Sequence, residues 1–453
     1  MAKAKSNSKK ITLEESLVPV EEQPYEVPEN WCWVKHNSIL DISGGSQPAK
    51  SHFITEPREG YTQLYQTRDY GEHPIPVYIP NKYATKTTCE GDILLARYGG
   101  SLGKVFRAHD GAYNVALTKV IKIYPELIDD EFLYKYYLSQ FYQNFCIKAS
   151  NGRSAQAGFN RDDMNSLPFP LPPLAEQKRI VDQIESLFSK LDEANEKAQE
   201  VIDRIETNIE AILYNAFSGK LTQYWRKENG VDYNWEKSTL SKIVSGLKYG
   251  SSEKSDYNNN GTPVLRIPNI GEGVIDFSDL KYMQGEFENS SHEVFENDIL
   301  IIRSNGSRDL VGKCAIVPAL ERRFAYASFL IRIKASDKVL PNYLVRYINS
   351  SMARGQLFAK VKSSSGIHNI NSKELGSIRI DVPTIEEQTE ILKIIEPLIK
   401  KELAVKNITS HMIENIAELK KSILTKAFRG ELGTNVSLEK SSIELLKKTI
   451  EEG

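Results

Sequence analysis

No apolar run in this sequence approaches the roughly 20 residues that a membrane-crossing helix needs. The basic start, Met1 to Lys10, is not followed by the apolar segment of a secretory leader. Cysteine is scarce and scattered: Cys32, Cys89, Cys146 and Cys314 stand far apart without a C-x-x-C pair. That spacing disfavours both a zinc site and a disulfide framework, and it suits a reducing compartment. A strong charge of one sign is also missing, since the 453 residues carry a formal net charge of −2. The molecule as a whole is therefore not drawn to nucleic acid or to an anionic membrane, and any such contact must come from local patches. The block from 237 to 380 has the clearer excess of Lys and Arg. These features predict a cytoplasmic protein with no membrane partner.

Catalytic signatures are missing as well. Gly100-Ser101-Leu102-Gly103-Lys104 and Val311-Gly312-Lys313 resemble fragments of a phosphate loop, but neither has the G-x-x-x-x-G-K-[ST] spacing or a hydroxyl residue after the lysine. Both read better as tight turns. There is no H-E-x-x-H, no G-x-S-x-G, no glycine-rich cofactor loop and no N-P-P-Y type tetrapeptide, and the seven histidines lack ligand spacing. The expectation is a chain that is not an enzyme, with no catalytic residue, no metal and no cofactor of its own.

What is present is a repeat. A shift of 211 positions carries Leu174 onto Ile385 and Phe217 onto Phe428 without a gap. The copies begin as P-P-L-A-E-Q and V-P-T-I-E-E-Q and end as A-F-S-G-K-L and A-F-R-G-E-L. In the first copy, apolar or small residues fall at 180, 184, 187, 191, 194 and 198, then at 202, 205, 209, 212 and 216. These alternating steps of four and three are the seam of paired helices, and the extra step of four near Ala198 is a stutter. Pro172 and Pro173 before the stretch and Gly219 after it suit a helix start and a left-handed end. At 1.5 Å per residue each helix would be about 65 Å long. The second copy opens on Thr384-Ile385-Glu386-Glu387, a capping-box pattern, and its seam is expected at 391, 395, 398, 405, 413, 416, 423 and 427. Glu402 and Lys420 interrupt that seam, and Pro397 removes one backbone bond inside the helix. An ungapped repeat of this length suggests a ruler, made of two helices that bury their stripes against one another.

Each helix follows a globular block. In the first, Leu64-Tyr65, Ile75 to Ile79, Ile93 to Ala96 and Thr118 to Ile123 read as strands, and Asp129 to Phe145 as a buried helix. The second echoes it: Gly91-Asp92-Ile93-Leu94-Leu95-Ala96-Arg97 lines up with Asn297-Asp298-Ile299-Leu300-Ile301-Ile302-Arg303. Leu167-Pro168-Phe169-Pro170 likewise matches Ile378-Arg379-Ile380-Asp381. Tyr224 to Tyr233 is polar and suits a linker. Basic and amide residues gather in the predicted loops. In the first block these are Gln47, Lys50, Arg68, Arg97, Tyr98, Ser101, Arg153 and Gln156; in the second, Lys248, Tyr249, Arg266, Arg303, Asn305, Arg308, Lys362, His368 and Asn369. Arg suits bidentate contact with guanine, Asn and Gln with adenine, and Lys and Ser suit phosphate. A polar loop is usually only a solvated loop, so the signal is the recurrence in both blocks.

Three groups of residues carry a likeness to a known family. They are Val27-Pro28-Glu29-Asn30-Trp31-Cys32-Trp33 at the first block's entrance, Pro172-Pro173-Leu174-Ala175-Glu176-Gln177 at the helix start, and Ala216-Phe217-Ser218-Gly219 with Ala427-Phe428-Arg429-Gly430 at the helix ends. On these the chain resembles the specificity subunits of type I restriction-modification systems over nearly its whole length. The resemblance implies two α/β (α+β) recognition domains separated by an antiparallel pair of long helices with a pseudo-two-fold internal repeat. It implies a tail over residues 1–24, a first target-recognition domain over 25–170, a spacer helix over 171–222, a second recognition domain over 223–381, a distal helix over 382–433 and a tail over 434–453. A two-fold relation would bring the two tails together.

It further implies double-stranded DNA as ligand, each domain reading half of a split target. The partners would be two methyltransferase subunits using S-adenosylmethionine, and restriction subunits using ATP and Mg. A methylase that flips its base needs DNA held in fixed register, which a two-headed reader supplies. The competing reading is a coiled-coil scaffold with duplicated protein-binding heads. If the helices are a ruler, a heptad added to both adds about 10 Å and widens the unread spacer by about three base pairs. Methylome sequencing checks this, and an unchanged spacer refutes the ruler.

Overall fold

A computed structural model describes residues 11–151, 158–165, 167–284, 292–364 and 366–452. The chain divides into two compact units. One runs to Lys197 and resumes at Met412; the other is Ala198–His411. Each long helix therefore gives one part of itself to each unit.

Both stretches of the repeat are single helices of 44 residues, Leu174–Phe217 (proximal) and Ile385–Phe428 (distal). Gly219 and Gly430 follow their ends at φ 72° and 73°, the left-handed region that a helix terminus favours and a side chain resists. Within the first unit the beginning of the proximal helix packs on the end of the distal one: Ile180 and Ile184 share a core with Leu424 and Ala427. Within the second unit the order is reversed, with Leu213 and Ala216 against Ile391, Ile395 and Ile399. The pairing in each unit is antiparallel.

Every predicted seam position of the proximal helix is buried or half-buried, but the distal seam departs from expectation. Leu398 and Val405 are 43% and 40% exposed, whereas Ile399 is buried and Glu402, Lys406 and Lys420 are half-buried. The seam therefore takes an extra step of four from Ile395 to Ile399, beside Pro397, and then passes through the charged residues. They stay there because the other helix supplies partners. Lys406 pairs with Glu206 at 3.0 Å, Asn208 donates to Glu402 at 3.3 Å, and Lys420 pairs with Asp192 over the Phe188 ring. A search for apolar side chains alone misses such a seam.

The two globular blocks share one topology among their described strands. The first has Leu40–Gly44, Leu117–Lys122, Ile93–Ala96 and Val105–Arg107 in that order, beside a second sheet of Tyr78–Pro80, Tyr61–Tyr65, Gly111–Tyr113 and Thr87–Thr88. The second block repeats both orders. Its first sheet is Val244–Tyr249, Leu330–Ala335, Ile299–Ile302 and Cys314–Ile316, with Gly273–Val274 at the edge. Its second is Lys281–Met283, Thr262–Leu265, Phe324–Tyr326 and Glu293–Val294, with Ser255–Asp256 at the edge. Even the parallel pairs correspond, Leu64 with Ala112 and Val264 with Ala325. Gly91 and Asn297, aligned from sequence, both have positive φ, 85° and 69°. The aspartate after each closes the same turn, accepting from Cys89 N and Phe295 N. Block entrance and exit also pair alike: Cys32–Lys35 with Pro168–Leu171, and Glu236–Thr239 with Arg379–Val382.

Some expectations change. The strand placed at Ile75 to Ile79 is Tyr78–Pro80, because Pro74 and Pro76 have no amide to donate and Ile75 is exposed. The helix placed at Asp129 to Phe145 is two helices, Asp130–Leu138 and Gln140–Ser150, broken at the extended Ser139, which caps the second. Ser350 makes the same break in the other block. Residues 11–24 pack onto the first core, with Val18 bonded to Trp33 and Ser16 buried. The terminal helix Ser442–Glu452 buries Leu446 in that core and packs against Leu13–Ser16, as the expected meeting of the tails requires. The supposed linker forms the helix Gln223–Asn229 and contains a buried Arg226.

The E-Q pair at each helix start does the anchoring. Gln177 donates to Leu127 O and Pro172 O at 2.9 and 3.0 Å and accepts from Asp129 N at 2.8 Å. Gln388 repeats this with Lys338 O, Pro383 O and Leu340 N. Glu176 accepts from the Trp31 indole at 2.8 Å and from Asn435 at 2.7 Å; Glu387 accepts from the Trp235 indole at 2.9 Å, from Thr222 at 2.6 Å and from Arg226. In the capping box, Thr384 does accept from Glu387 N at 3.4 Å, but the Glu387 carboxylate is turned inward to these partners. At the other end of each helix the Phe of A-F-x-G enters an aromatic cluster. Phe428 lies 5.1 Å from Phe132 and 5.7 Å from Tyr136, and Phe217 lies 5.2 Å from Tyr343 and 5.1 Å from Tyr347.

Only Glu387 faces a buried cation. Glu387→Ala should therefore destabilise the second unit by about 3–5 kcal/mol, because Arg226 is left buried and unpaired. Glu176→Gln should cost less. Burial, only partly offset by Trp31 and Asn435, holds the Glu176 carboxyl above the usual carboxylate range. A raised folded pKa adds stability below the unfolded value and loses it as pH rises through the folded one. Urea melts at pH 4 to 7 should show that component missing from Glu176→Gln, and identical pH profiles for the two chains would contradict it.

Candidate nucleic-acid interface

In each block the central strand is fully buried and ends on an arginine. Ile93–Ala96 exits at Arg97, whose N–H donates to Ala116 O at 3.0 Å while its carbonyl accepts from Phe159 N at 3.1 Å. Ile299–Ile302 exits at Arg303 in the same way, with Phe329 O at 2.9 Å and Ile370 N at 2.9 Å. The backbone of each arginine is thus clamped between two segments, and only its side chain is free to serve a surface. Nearby, Gly45 and Gly250 let the neighbouring strand pass the 113–114 and 326–327 turns, where a side chain would collide with carbonyl oxygens at 2.0–2.5 Å. A capping box follows in both blocks, Asn160 with Asp163 and Asn371 with Glu374.

The second block gathers most of its predicted residues around Arg303. Its guanidinium lies 4.7 Å over the Tyr249 ring and donates to Asn369 Oδ1 and Ser328 O, each at 3.3 Å. The Tyr249 hydroxyl donates to Ser372 Oγ at 3.2 Å, and Lys248 beside it is exposed. A small sheet pairs Ser304 with Asn369, Asn305 with His368, and Lys362 with Asn369, which adds three more predicted residues to the group. Asn305 Oδ1 closes a turn on Ser307 N at 2.7 Å, and the exposed Lys362 pairs with Glu374 at 3.0 Å. Two residues are engaged elsewhere. Arg266 is 18% exposed and tied to Asp279, and Arg308 bonds to Phe358 O over that residue's ring.

The first block brings Arg97 and Tyr98 together, the guanidinium 5.6 Å from the ring centre; burial raises the Tyr98 hydroxyl despite that charge. Ser101 sits on the turn Gly99–Ser101 that follows. Gln47 and Lys50 are exposed beyond the strand Leu40–Gly44, and Arg68 is half-exposed beside Asp69 at 3.8 Å. Arg153 and Gln156 lie outside the described residues. Sequence reasoning missed Lys86, Thr118 and Arg161, which share a cleft with Arg97. The 211-residue shift that relates the helices carries Asn160 onto Asn371, but it carries Arg161 onto Ser372, so the repeat alone did not single out the arginine.

No described helix is long and apolar enough to cross a membrane, and among the described residues no group of His, Cys, Asp and Glu is placed to hold a metal. Two equivalent heads, each presenting a clamped arginine in a polar surface at the end of a buried strand, on helices anchored at both ends, make a duplicated recognition protein. The family described as type I restriction modification DNA specificity domain matches residues 28–204 and 233–415. The chain belongs to that family. It is 28% identical to the EcoKI specificity subunit of Escherichia coli K12, over 93% of this chain and 95% of that one. It is 24% identical to the StySPI specificity subunit of Salmonella potsdam, over 90% of each. A structure reported under complex assembly and conformational transition of the type I R-M system superposes with a TM-score of 0.66 at 21% identity, covering 90% of this chain and all of that one. The chain is a DNA target-recognition subunit of a type I restriction-modification system and not a catalytic one.

Proposed function

We propose that the chain reads a DNA target split into two half-sites, one recognition domain to each, and carries the modification methyltransferases on its helices. The observation that carries the first part is the common order of four strands in each of two sheets of both blocks, each block ending its central strand on a clamped arginine. One fold used twice in a chain, with different side chains at the same mouth, is what two independent half-site readers need. The loop residues around Arg97 and Arg303 are the proposed contacts.

For the second part, the distal helix keeps apolar residues that its own pairing does not cover. In the second unit Leu398, Val405 and Ile408 are 40–70% exposed at heptad-like spacing. Such a stripe suits a partner helix. S-adenosylmethionine would then be held by the methyltransferase, and ATP and Mg by restriction subunits where these join. A scaffold with protein-binding heads would use the same helices, but it gives no reason for arginines at both strand ends.

Methylome sequencing of the host with and without the gene tests the reading. One motif of two short halves around a fixed run of unread bases should vanish with the gene, and no change in any motif would defeat it. With Arg303→Ala, one half of that motif should relax while the other stays intact; equal relaxation of both halves would contradict independent readers.

A further inference from the structure

The two recognition domains share the order of their common strands, and the register of the ladder where it reaches the strand-end arginine, but they differ at the mouth of that arginine. In the second, Tyr249 pairs with Ile331, which pairs with Ile301; in the first, the same ladder runs Gly44, Thr118, Leu95. Gly44 therefore stands where Tyr249 stands, and Thr118 where Ile331 stands. Tyr249 fills its mouth, its ring beneath Arg303 and its hydroxyl on Ser372. Gly44 leaves its mouth open, and even a first side-chain carbon there would lie 3.1 Å from Arg97 Nη1. The result is a cleft of about 250 Å³ in the first domain.

Its walls are cationic and donor-rich. Arg97, Lys86 and Arg161 line it together with Thr118 and Ser43. Lys86 donates to Ser43 Oγ at 3.1 Å, and Arg161 donates to Asp41 Oδ1 at 2.5 Å and Ile42 O at 2.9 Å. Two buried donors lack a partner among the described residues: Arg97 Nε and the hydroxyl of Thr118, a residue only 1% exposed. A buried polar group without a partner is costly, and a ligand with several acceptor oxygens would remove that cost at both atoms. Three cationic side chains around hydroxyl donors fit a phosphate, whose oxygens accept charge-assisted bonds from several directions.

We infer that this cleft is a phosphate socket, that it takes one backbone phosphate of the DNA half-site read by the first domain, and that the second domain lacks it because Tyr249 closes the equivalent opening. The inference rests on the DNA-recognition role. Such a contact sets register without reading a base, so the two domains would hold their half-sites differently: the first through an enclosed phosphate, the second through the surface around Arg303.

The test uses the full chain assembled with its methyltransferase, comparing wild type with Gly44→Tyr, Thr118→Val and Arg161→Gln; thermal melting confirms that each variant folds. DNA affinity is measured against salt for target and random duplexes. Gly44→Tyr should weaken both duplexes about tenfold and flatten the logarithmic salt slope by about one. Arg161→Gln should do the same, and Thr118→Val should weaken both duplexes equally with the motif unchanged. An unchanged slope and affinity in folded Gly44→Tyr overturns the socket. So does relaxed base preference at the first half-site with the slope intact, which would make the cleft a base reader. Calorimetry with inorganic phosphate separates the sources: phosphate binding lost in Gly44→Tyr while the DNA salt slope stays unchanged would assign a free phosphate and overturn the DNA contact. If the wild-type complex binds no DNA, the recognition role itself fails, and not the socket alone.

Discussion

One buried carboxylate holds each recognition block to the helices. Glu176 and Glu387 sit at equivalent places in the first turns of the two long helices, and each accepts from the indole of the tryptophan that opens its block. The free N–H groups of a helix start make that end favourable for an anion. Each carboxylate is also bonded by residues that follow the end of the other helix, Thr434 and Asn435 for Glu176, Thr222 and Arg226 for Glu387. One group thus joins three segments: block entrance, helix start and helix end. The adjacent Gln177 and Gln388 bond to three backbone groups each, so the helix start cannot turn without breaking several hydrogen bonds at once. The ungapped repeat follows from this. Each helix is pinned at its start by the E-Q pair and at its end by the Phe of A-F-x-G, so a turn added to one helix alone would move one pin and not the other.

Between those pins the helices tolerate much. The distal seam steps aside at Pro397 and continues through Glu402, Lys406 and Lys420, each answered by a residue of the proximal helix. Exposed ion pairs contribute little singly, so these charges do more to fix which residues face each other than to stabilise the pair. The apolar residues released from the seam, Leu398 and Val405, are left on the outer surface. On the recognition domains the scaffold is likewise constant and the mouth variable. The ladder that places Gly44 beside Thr118 in one places Tyr249 beside Ile331 in the other, and this exchange turns an open cationic cleft into an aromatic-capped arginine.

Much of this could be read in the sequence, where one residue type meets one physical need. Gly219 ends a helix because the backbone there is left-handed, and Asn297 could be matched to Gly91 because the runs that follow them align, the structure giving both a positive φ. The limits of both long helices followed from the repeat. What could not be read depends on partners distant in the chain. Arg226 looked like part of a polar linker because nothing local reveals a buried carboxylate at 387. Glu402 looked like an interruption because its partner Asn208 lies on the other helix. Arg303 and Asn369 could be proposed separately, but only the pairing of Ser304 with Asn369 brings them within 3.3 Å. Lys86 and Thr118 were missed for the same reason, since only the folded sheet brings them into one cleft with Arg97.

On the proposed function, each block by itself carries one half of the recognised sequence. The most direct measurement is methylome sequencing of a host whose chain has its first block, from Trp31 to Leu171, replaced by a second copy of the block from Trp235 to Val382. The grafted copy keeps the tryptophan that bonds the helix-start glutamate, and therefore its anchor. The predicted outcome is a new methylated motif made of two copies of the half-site now read by the second block. A motif unchanged from wild type, or one in which both halves differ from either original half, would contradict the claim.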